Sequence, residues 1–135
     1  MKSREIVIRG YHCDSYGHVN NARYLELLEE ARWEALTTAM ESGFFERRDL
    51  LFVVVNINVN YRAEVQPNDR VVINTRLKEF GRKSITFYQT IQNQTTDKLA
   101  VDADVKFVLL KSRSKQMETI DEEIRELFTR LNDEN

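Results

Sequence analysis

The stretch YHCDSYGHVNNARYL, residues 11–25, joins two different hydrophobic patterns. Before it, a β-branched Ile-Val-Ile run predicts a short strand over Glu5–Tyr11. After it, apolar residues at helical spacing predict a long helix over Asn21–Glu41, which a Ser-Gly pair ends. The apolar face of this helix contains Tyr24, Leu28, Ala31, Ala35 and Ala39. The alanines have small side chains, so a sheet can approach this helix closely.

Four strands and a second helix follow. Turn residues bound four segments rich in alternating or β-branched residues, which predict strands over Leu50–Val65, Arg70–Phe80, Lys83–Gln94 and Lys98–Lys111. Their connections are too short for parallel crossovers, so the sheet is expected to be antiparallel. A Thr-x-x-Glu capping box at residues 119–122 predicts a short amphipathic helix that ends near Asn132. The order of elements predicts an α+β domain with a long helix on a curved antiparallel sheet.

The strand predicted over Leu50–Val65 has two unlike faces. An apolar set, Val53, Val55, Ile57, Val59 and Tyr61, alternates with a set that includes Asn56, Asn58 and Asn60. Asparagine is disfavoured in strands, so we interpret the asparagine face as a contact with a ligand, a partner chain or buried water. The alternative is an ordinary face turned to solvent.

Length and composition predict one domain over residues 1–135, since 41% hydrophobic residues suffice for a single core. A formal net charge of −2 gives no basic field for nucleic acid. No apolar run approaches the ~20 residues that span a bilayer, and no secretory signal is visible. Cys13 is the only cysteine, which fits a cytoplasmic location. The spacing of the two histidines indicates no metal site, and no motif indicates a cofactor.

Polar side chains crowd the residues just before the helix: Asp14, His18, Asn20 and Asn21. The first N–H groups of a helix lack intrahelical acceptors and stabilise negative charge on a nearby oxygen. A carboxylate a few residues earlier, acting as base or nucleophile, would supply the other half of a site for acyl cleavage. Each residue also has an ordinary interpretation, with Asp14 as a turn residue and Asn20 or Asn21 as the N-cap.

The same motif resembles the signature of the hotdog-fold thioesterases related to 4-hydroxybenzoyl-CoA thioesterase. Within that family, the motif most resembles the bacterial long-chain acyl-CoA thioesterase III subgroup. The matching text includes RGYH at residues 9–12, HVNNARYLE at residues 18–26 and LEEARW at residues 28–33. A second match is FVVVNIN at residues 52–58, followed by NYR at residues 60–62.

This resemblance implies a five-stranded curved antiparallel sheet wrapped around one long central helix, with a short C-terminal helix beside it. It also implies a homodimer, or a dimer of dimers, with sheets continuous between chains and ligand sites at the interface. We expect the long strand to be the pairing edge. The activity implied is hydrolysis of acyl-CoA thioesters, and the long-chain subgroup favours fatty acyl chains.

The resemblance also implies roles for individual residues. Asp14 would attack the thioester or direct water, the backbone N–H near Asn21 would stabilise the oxyanion, and His18 and Asn20 would hold these groups. The residues expected to contact substrate are Tyr16, Tyr24, Asn58, Tyr61 and Arg62. The cations available for the CoA phosphates are Arg62, Arg82, Lys83, Lys111 and Arg113.

Several alternatives remain open from the sequence. The substrate could be an acyl carrier protein thioester or an aromatic acyl-CoA, although His18 and the paired amides depart from the aromatic branch of the family. The catalytic carboxylate could instead lie on the helix, at Glu26, Glu29 or Glu30, although Glu26 and Glu30 could simply pair with Arg23 or Arg32. A non-catalytic acyl-CoA sensor or a dehydratase relative is the remaining alternative.

Overall fold

A computed structural model describes residues 1–134. One five-stranded sheet contains β1 (Arg4–Val7), β2 (Leu50–Tyr61), β3 (Arg70–Phe80), β4 (Ile85–Asn93) and β5 (Lys98–Lys111). The strand order is β1-β3-β4-β5-β2, and every neighbouring pair is antiparallel, as predicted. The helices are α1 (Asn21–Glu41), the one-turn α2 (Phe44–Arg47) and α3 (Glu122–Asp133).

Helix α1 packs on the inner face of the sheet, with the predicted apolar face turned toward it. Tyr24, Leu28 and Ala31 form one hydrophobic cluster with the inward residues of β3, β4 and β5. Helix α3 closes the other end, where the Phe128 ring lies 5.8 Å from Phe107. This arrangement confirms the predicted α+β architecture of a curved sheet on one long helix.

The first predicted strand was too long. Strand β1 ends at Val7, and Gly10–His12 forms a 3-10 turn instead of extended chain. The backbone N–H of Arg9 donates to Nδ1 of His12 at 2.9 Å, and this local bond stabilises the turn. Residues just beyond the strand also bond to the β2–β3 connection, since the N–H of Ile8 donates to the carbonyl of Asp69.

A β-bulge in β2 changes which side chains share a face. Val54 pairs with Phe107 and Asn56 with Lys106, so Val55 is the extra residue. The prediction of one continuous apolar face was therefore wrong, because the bulge reverses the alternation of inward and outward side chains along β2. Before the bulge, Val53 faces outward opposite Val108. After the bulge, the β2 residues that pair with core residues of β5 face inward. These inward residues after the bulge are Ile57, Val59 and Tyr61.

The asparagine face of β2 lies on the outer surface of the sheet. Asn56, Asn58 and Asn60 are exposed and stand opposite charged residues of β5. Asn60 donates from Nδ2 to Asp102 at 2.9 Å. Strand β2 ends at Tyr61 instead of Val65, because the N–H groups of both Arg62 and Ala63 converge on the carbonyl of Ala100.

The start of α3 differs from its prediction, whereas its end agrees with it. The N-cap of α3 is Asp121, whose carboxylate accepts from the N–H of Ile124, so the capping box predicted from Thr119 was wrong. The last turn of that helix includes Asn132, in agreement with the predicted end. Within residues 1–134, no helix is both long and apolar enough to cross a membrane.

Candidate active site

The loop before α1 is a closed turn. Cys13 and Val19 form an antiparallel bridge, and the N–H of Asp14 donates to the carbonyl of His18 at 3.1 Å. The turn is completed by Gly17, whose φ of 84° lies in the left-handed region that glycine adopts without strain. The loop therefore holds the predicted Asp14 and His18 next to each other in the backbone.

The Asp14 carboxylate has a turn role and a free oxygen. Its Oδ1 accepts from the N–H of Tyr16 at 2.9 Å, which is an Asx-turn contact. Its Oδ2 accepts no hydrogen bond within the described chain. One carboxylate oxygen of Asp14 therefore has the ordinary role of a turn residue, and the other is free to accept a proton. Asp14 is half-buried.

The start of α1 leaves one backbone donor free. Asn20 is the N-cap, since its Oδ1 accepts from the N–H of Ala22 at 2.8 Å and its carbonyl accepts from the N–H of Arg23 at 3.0 Å. The N–H of Asn21 has no acceptor anywhere in residues 1–134. A free N–H at the positive end of a 21-residue helix is suited to stabilise an oxyanion.

A cavity of about 210 Å³ opens beside this helix start. Its lining comprises His18, Val19, Asn21, Tyr24, Tyr61, Arg62, Ala63 and Glu64. Five of the predicted site residues therefore come together here from three segments of the chain. We refer to this space as the helix-start cavity.

The walls of the helix-start cavity are held by backbone and side-chain contacts. The N–H of Val19 donates to the carbonyl of Val65 at 2.9 Å, which fastens the loop to the segment after β2. The hydroxyl of Tyr61 donates to the carbonyl of Asn21 at 3.3 Å. The rings of Tyr24 and Tyr61 lie 5.7 Å apart. The turn after β2 and the start of α1 therefore form one unit.

Tyr24 is the most deeply buried polar residue of the cavity. Only 3% of it is exposed, and its hydroxyl makes no hydrogen bond within the described residues. Burial raises the pKa of Tyr24 to about 12, while the nearby Val65 amide acts in the opposite direction. The phenol is therefore neutral at physiological pH and retains a proton to donate.

His18 and Glu64 face each other across the helix-start cavity. The Nε2 of His18 lies 3.7 Å from Oε2 of Glu64, which is an ion-pair distance when the imidazole is protonated. The ring of Tyr16 stacks on His18 with centroids 6.3 Å apart, and Tyr16 is otherwise 84% exposed. Sequence reasoning missed Glu64, because nothing in the pattern distinguishes it from the other charged residues at strand ends.

Two predicted substrate contacts offer no free group to the helix-start cavity: Arg62 lines it but has its guanidinium engaged, and Asn58 lies outside it. The guanidinium of Arg62 donates from Nε to Oδ2 of Asp102, and this contact holds the cation near the outer surface of the sheet. The hydrogen bond from Arg62, supported by one from Asn60, holds the pKa of Asp102 below its usual range although burial opposes the shift. Asn58 stands on the outer face opposite Asp104 and does not line the cavity.

Two of the three candidate carboxylates of α1 form ion pairs, and the third, Glu29, is exposed on the helix surface. Glu26 lies 3.0 Å from Arg23, as anticipated, whereas Glu30 lies 3.2 Å from Arg4 of β1. Arg32 was wrongly considered as a partner for these acids, because it is 5% exposed and donates to Oε1 of Gln89 inside the sheet. Burial lowers the pKa of the Arg32 guanidinium. These contacts leave Asp14 as the better candidate.

No three His, Cys, Asp or Glu side chains lie close enough to hold a metal ion in the part of the chain that the structure describes. The helix-start cavity is lined by the His18 imidazole, the Tyr24 phenol, the Glu64 carboxylate and the N-terminus of α1, whereas Asp14 is not among its lining residues and lies in the loop before the helix. Together these groups can polarise a carbonyl oxygen and activate a nucleophile beside it.

Comparison with known proteins places this geometry in a family. The model of the thioesterase-like superfamily matches residues 8–128. The chain is 38% identical over 127 residues to the long-chain acyl-CoA thioesterase FadM of Escherichia coli, covering 94% of this chain and 96% of that protein.

Two solved structures share the fold of this chain. The probable thioesterase YbaW from Escherichia coli superposes with a TM-score of 0.90 at 36% identity, covering 96% of this chain and 98% of that one. A Staphylococcus aureus protein in complex with CoA superposes with a TM-score of 0.84 at 11% identity, covering 98% and 85% of the two chains, and shows a shared fold. The predicted hotdog fold is thus confirmed, and the chain belongs to the thioesterase-like superfamily.

Proposed function

We propose that this protein hydrolyses long-chain fatty acyl-CoA to a free fatty acid and CoA at the helix-start cavity. The observation that carries the proposal is the unpaired N–H of Asn21 at the start of α1, a few residues after the Asp14 carboxylate. A thioester needs a fixed donor for its carbonyl oxygen and a group that activates the attacking oxygen. Similarity to FadM over nearly the whole chain supports the acyl-CoA substrate.

The reaction follows from these groups. The thioester oxygen accepts from the N–H of Asn21, and Oδ2 of Asp14 accepts a proton from a water molecule that attacks the carbonyl carbon. Negative charge develops on the carbonyl oxygen, where the helix dipole stabilises it. When the carbonyl forms again, the carbon–sulfur bond breaks and the CoA thiolate leaves, taking up the proton that Asp14 accepted from the water. Direct attack by Asp14 through an acyl anhydride is the alternative course of the same site.

His18 and Asn20 have supporting roles in this proposal. The cap formed by Asn20 fixes the first turn of α1 and thereby aims the Asn21 N–H. His18 lies in the cavity between Tyr16 and Glu64, where it can hold the thioester or the water. Tyr61 stabilises the helix start through its bond to the Asn21 carbonyl.

We further propose that the active form is a homodimer joined along β2. Within residues 1–134 this edge strand pairs only with β5, and it leaves four apolar side chains exposed on both sides of the bulge: Leu51, Val53, Val55 and Ile57. A long exposed apolar edge strand is a site of association unless it is covered. Pairing two β2 strands would join both sheets and bring the edges of the two helix-start cavities to the interface. The half-buried thiol of the lone Cys13 is compatible with a cytoplasmic location.

A thiol-release assay on purified protein tests the activity and the chain length together. The panel contains acetyl-, hexanoyl-, decanoyl-, palmitoyl-, oleoyl- and 4-hydroxybenzoyl-CoA, with a palmitoyl acyl carrier protein thioester as a separate arm. We expect kcat/KM to rise with chain length by up to about fourfold for each methylene, from ~0.8 kcal/mol per buried CH₂. A preference for acetyl-CoA, 4-hydroxybenzoyl-CoA or the carrier-protein thioester would contradict the long-chain acyl-CoA assignment.

A further inference from the structure

The inner face of β2 carries an apolar row that the rest of residues 1–134 covers only in part. The inward side chains of this strand, none of which is buried, are Phe52, Val54, Ile57, Val59 and Tyr61. The next inward residue toward the start of the strand, Leu50, is only 6% exposed, so the open row ends at Phe52. We refer to these five side chains as the inner row.

Contacts with α1 fix both ends of the inner row. At one end, Tyr61 lines the helix-start cavity, and its hydroxyl donates to the carbonyl of Asn21 at 3.3 Å. At the other end, the ring of Phe52 lies 5.0 Å from the ring of Trp33. The inner row therefore leads from the proposed reaction centre to Trp33.

The length of the inner row suits a long acyl chain. Asn21 and Trp33 are separated by about 18 Å along α1, from the rise of an α-helix. Tyr61 and Phe52 are separated by at most about 30 Å along β2, from the rise of an extended strand. These two lengths bracket that of an extended palmitoyl chain. The helix-start cavity, at about 210 Å³, is smaller than the roughly 300–1,000 Å³ of typical small-molecule sites, so a long chain must extend beyond it.

Trp33 is a large aromatic residue left half open at the far end of the inner row. It is 48% exposed, although it packs on Phe52. Phe52 is held in turn by Phe107, whose ring lies 5.4 Å away, so the indole rests on the aromatic core. Glu29 lies one turn earlier on the same side of α1 and is exposed, which places its carboxylate at the solvent edge.

We propose that the inner row binds the acyl chain of the substrate and that Trp33 contacts its distal carbons and sets the chain-length preference. This inference rests on the proposed acyl-CoA hydrolysis at the helix-start cavity. Each methylene that the inner row buries strengthens binding, and the gain ends where the chain reaches Trp33. Pairing of two β2 edges would use their backbone groups and leave the inner row facing α1.

The fluorescence of Trp33 tests the contact directly, because it is the only tryptophan of the chain. Butyl- and palmityl-CoA thioethers cannot be hydrolysed, and each is titrated into the protein below its critical micelle concentration while calorimetry verifies binding. We expect the palmityl thioether to shift the emission to shorter wavelength, because it removes water from the indole. The butyl thioether should bind without a shift, because its chain ends well short of Trp33.

Trp33→Ala tests the effect on chain length. The ratio of kcat/KM for eicosanoyl-CoA to that for palmitoyl-CoA should rise about tenfold, since further methylenes are buried at up to about fourfold each. The value for decanoyl-CoA should not change, and Trp33→Phe should keep more of the wild-type preference. The matched control is Met117→Ala, which removes an apolar side chain of similar exposure, 52%, between β5 and α3 and should leave the profile unchanged.

Three results would overturn the inference. A Trp33 emission that saturating palmityl-CoA thioether leaves unchanged would show that the chain does not reach the indole. An unchanged length profile in folded Trp33→Ala would show that this residue does not set the preference. An emission that responds to protein concentration but not to ligand would assign Trp33 to a contact between chains. All three leave the proposed function standing if the wild type cleaves palmitoyl-CoA, whereas a wild type that releases no thiol from any acyl-CoA would refute that function itself.

Discussion

At the scale of single residues, the helix-start loop shows how one side chain serves structure and chemistry together. Asp14 uses one oxygen to close its turn on the N–H of Tyr16 and leaves the other free. Asn20 caps α1 and so consumes the N–H of Ala22, which leaves the donor of Asn21 exposed to the cavity. The capping and the proposed catalytic geometry are thus the same set of contacts.

Sequence patterns predicted the residues of this loop better than their partners. An N-cap at Asn20 or Asn21 follows from the place of these residues before a helical pattern, because capping is a local interaction, and the structure selects Asn20. Glu64 lies 46 positions after His18 in the printed sequence, and only the path of β2 brings the two together. Likewise the burial of Arg32 depends on Gln89 of β4, which no local pattern reveals.

The Asp102–Arg62 pair gives a prediction about stability. Because the pKa of Asp102 is lowered in the folded state, its contribution is present above the unfolded pKa of about 4 and is lost as the pH falls through the folded value. Asp102→Asn should therefore reduce the free energy of unfolding at pH 7 by ~1 kcal/mol, since one partner is half exposed. The difference from wild type should shrink toward pH 3, as urea unfolding at both pH values would show.

Asp97→Asn is the control for this pair. Asp97 lies in the β4–β5 turn at a φ of 55°, a conformation that asparagine tolerates well. It should unfold like the wild type at both pH values. An Asp102→Asn deficit of equal size at pH 7 and pH 3 would show that the charge of Asp102 does not contribute to stability.

At the scale of elements, β2 departs most from its sequence pattern. The alternation of Val53, Val55 and Ile57 predicted one apolar face, but the extra residue Val55 shifts the phase. A bulge arises from the pairing with β5, so it cannot be read from β2 alone. The long helix and β5 matched their predicted bounds, because their periodic patterns are long and clearly ended. The strand order also depends on long-range pairing, which no local pattern encodes.

The exposed edge of β2 yields the second prediction. Val55 is 52% exposed, and a lysine there would place a charge on the proposed dimer edge. Light scattering of Val55→Lys at micromolar concentration should give the mass of one chain, whereas the wild type should give at least twice that mass. Thr129→Lys, on the exposed side of α3, should leave the wild-type mass unchanged.

A wild-type protein that is monomeric and fully active at that concentration would contradict the proposed assembly. A dimeric Val55→Lys variant would show that the chains associate through another surface.

At the scale of the whole molecule, the packing of α1 on the curved sheet places the N-terminus of this helix beside a cavity. The curved sheet covers one face of α1, and the polar loop before the helix lies at its N-terminus, the positive end of the helix dipole. The turn after β2 then closes over that end through Val19 and Tyr61. The helix, the loop and the edge strand therefore meet at a single point, which is the helix-start cavity.

The family resemblance and the unpaired N–H at the start of α1 indicate the same location for the active site. The first turn of a helix leaves backbone N–H groups without intrahelical acceptors. A free N–H at that end can stabilise a developing oxyanion. The resemblance contributed the acyl-CoA substrate and the expectation of a dimer, neither of which follows from the periodicity of the chain. The structure added the unpaired N–H of Asn21.

The central claim is that Asp14 activates the attacking oxygen at this site, and the turnover of Asp14→Asn tests it most directly. Asparagine keeps the shape and the acceptor for the Tyr16 N–H but cannot take up a proton, so kcat for palmitoyl-CoA should fall by ~100-fold or more. KM should change little, because a ground-state thioester gains little from that charge. Glu30→Gln, which removes a carboxylate paired with Arg4, should retain wild-type turnover. Near-native turnover of a folded Asp14→Asn protein, with the large loss in Glu30→Gln instead, would contradict the account and move the catalytic carboxylate to the helix.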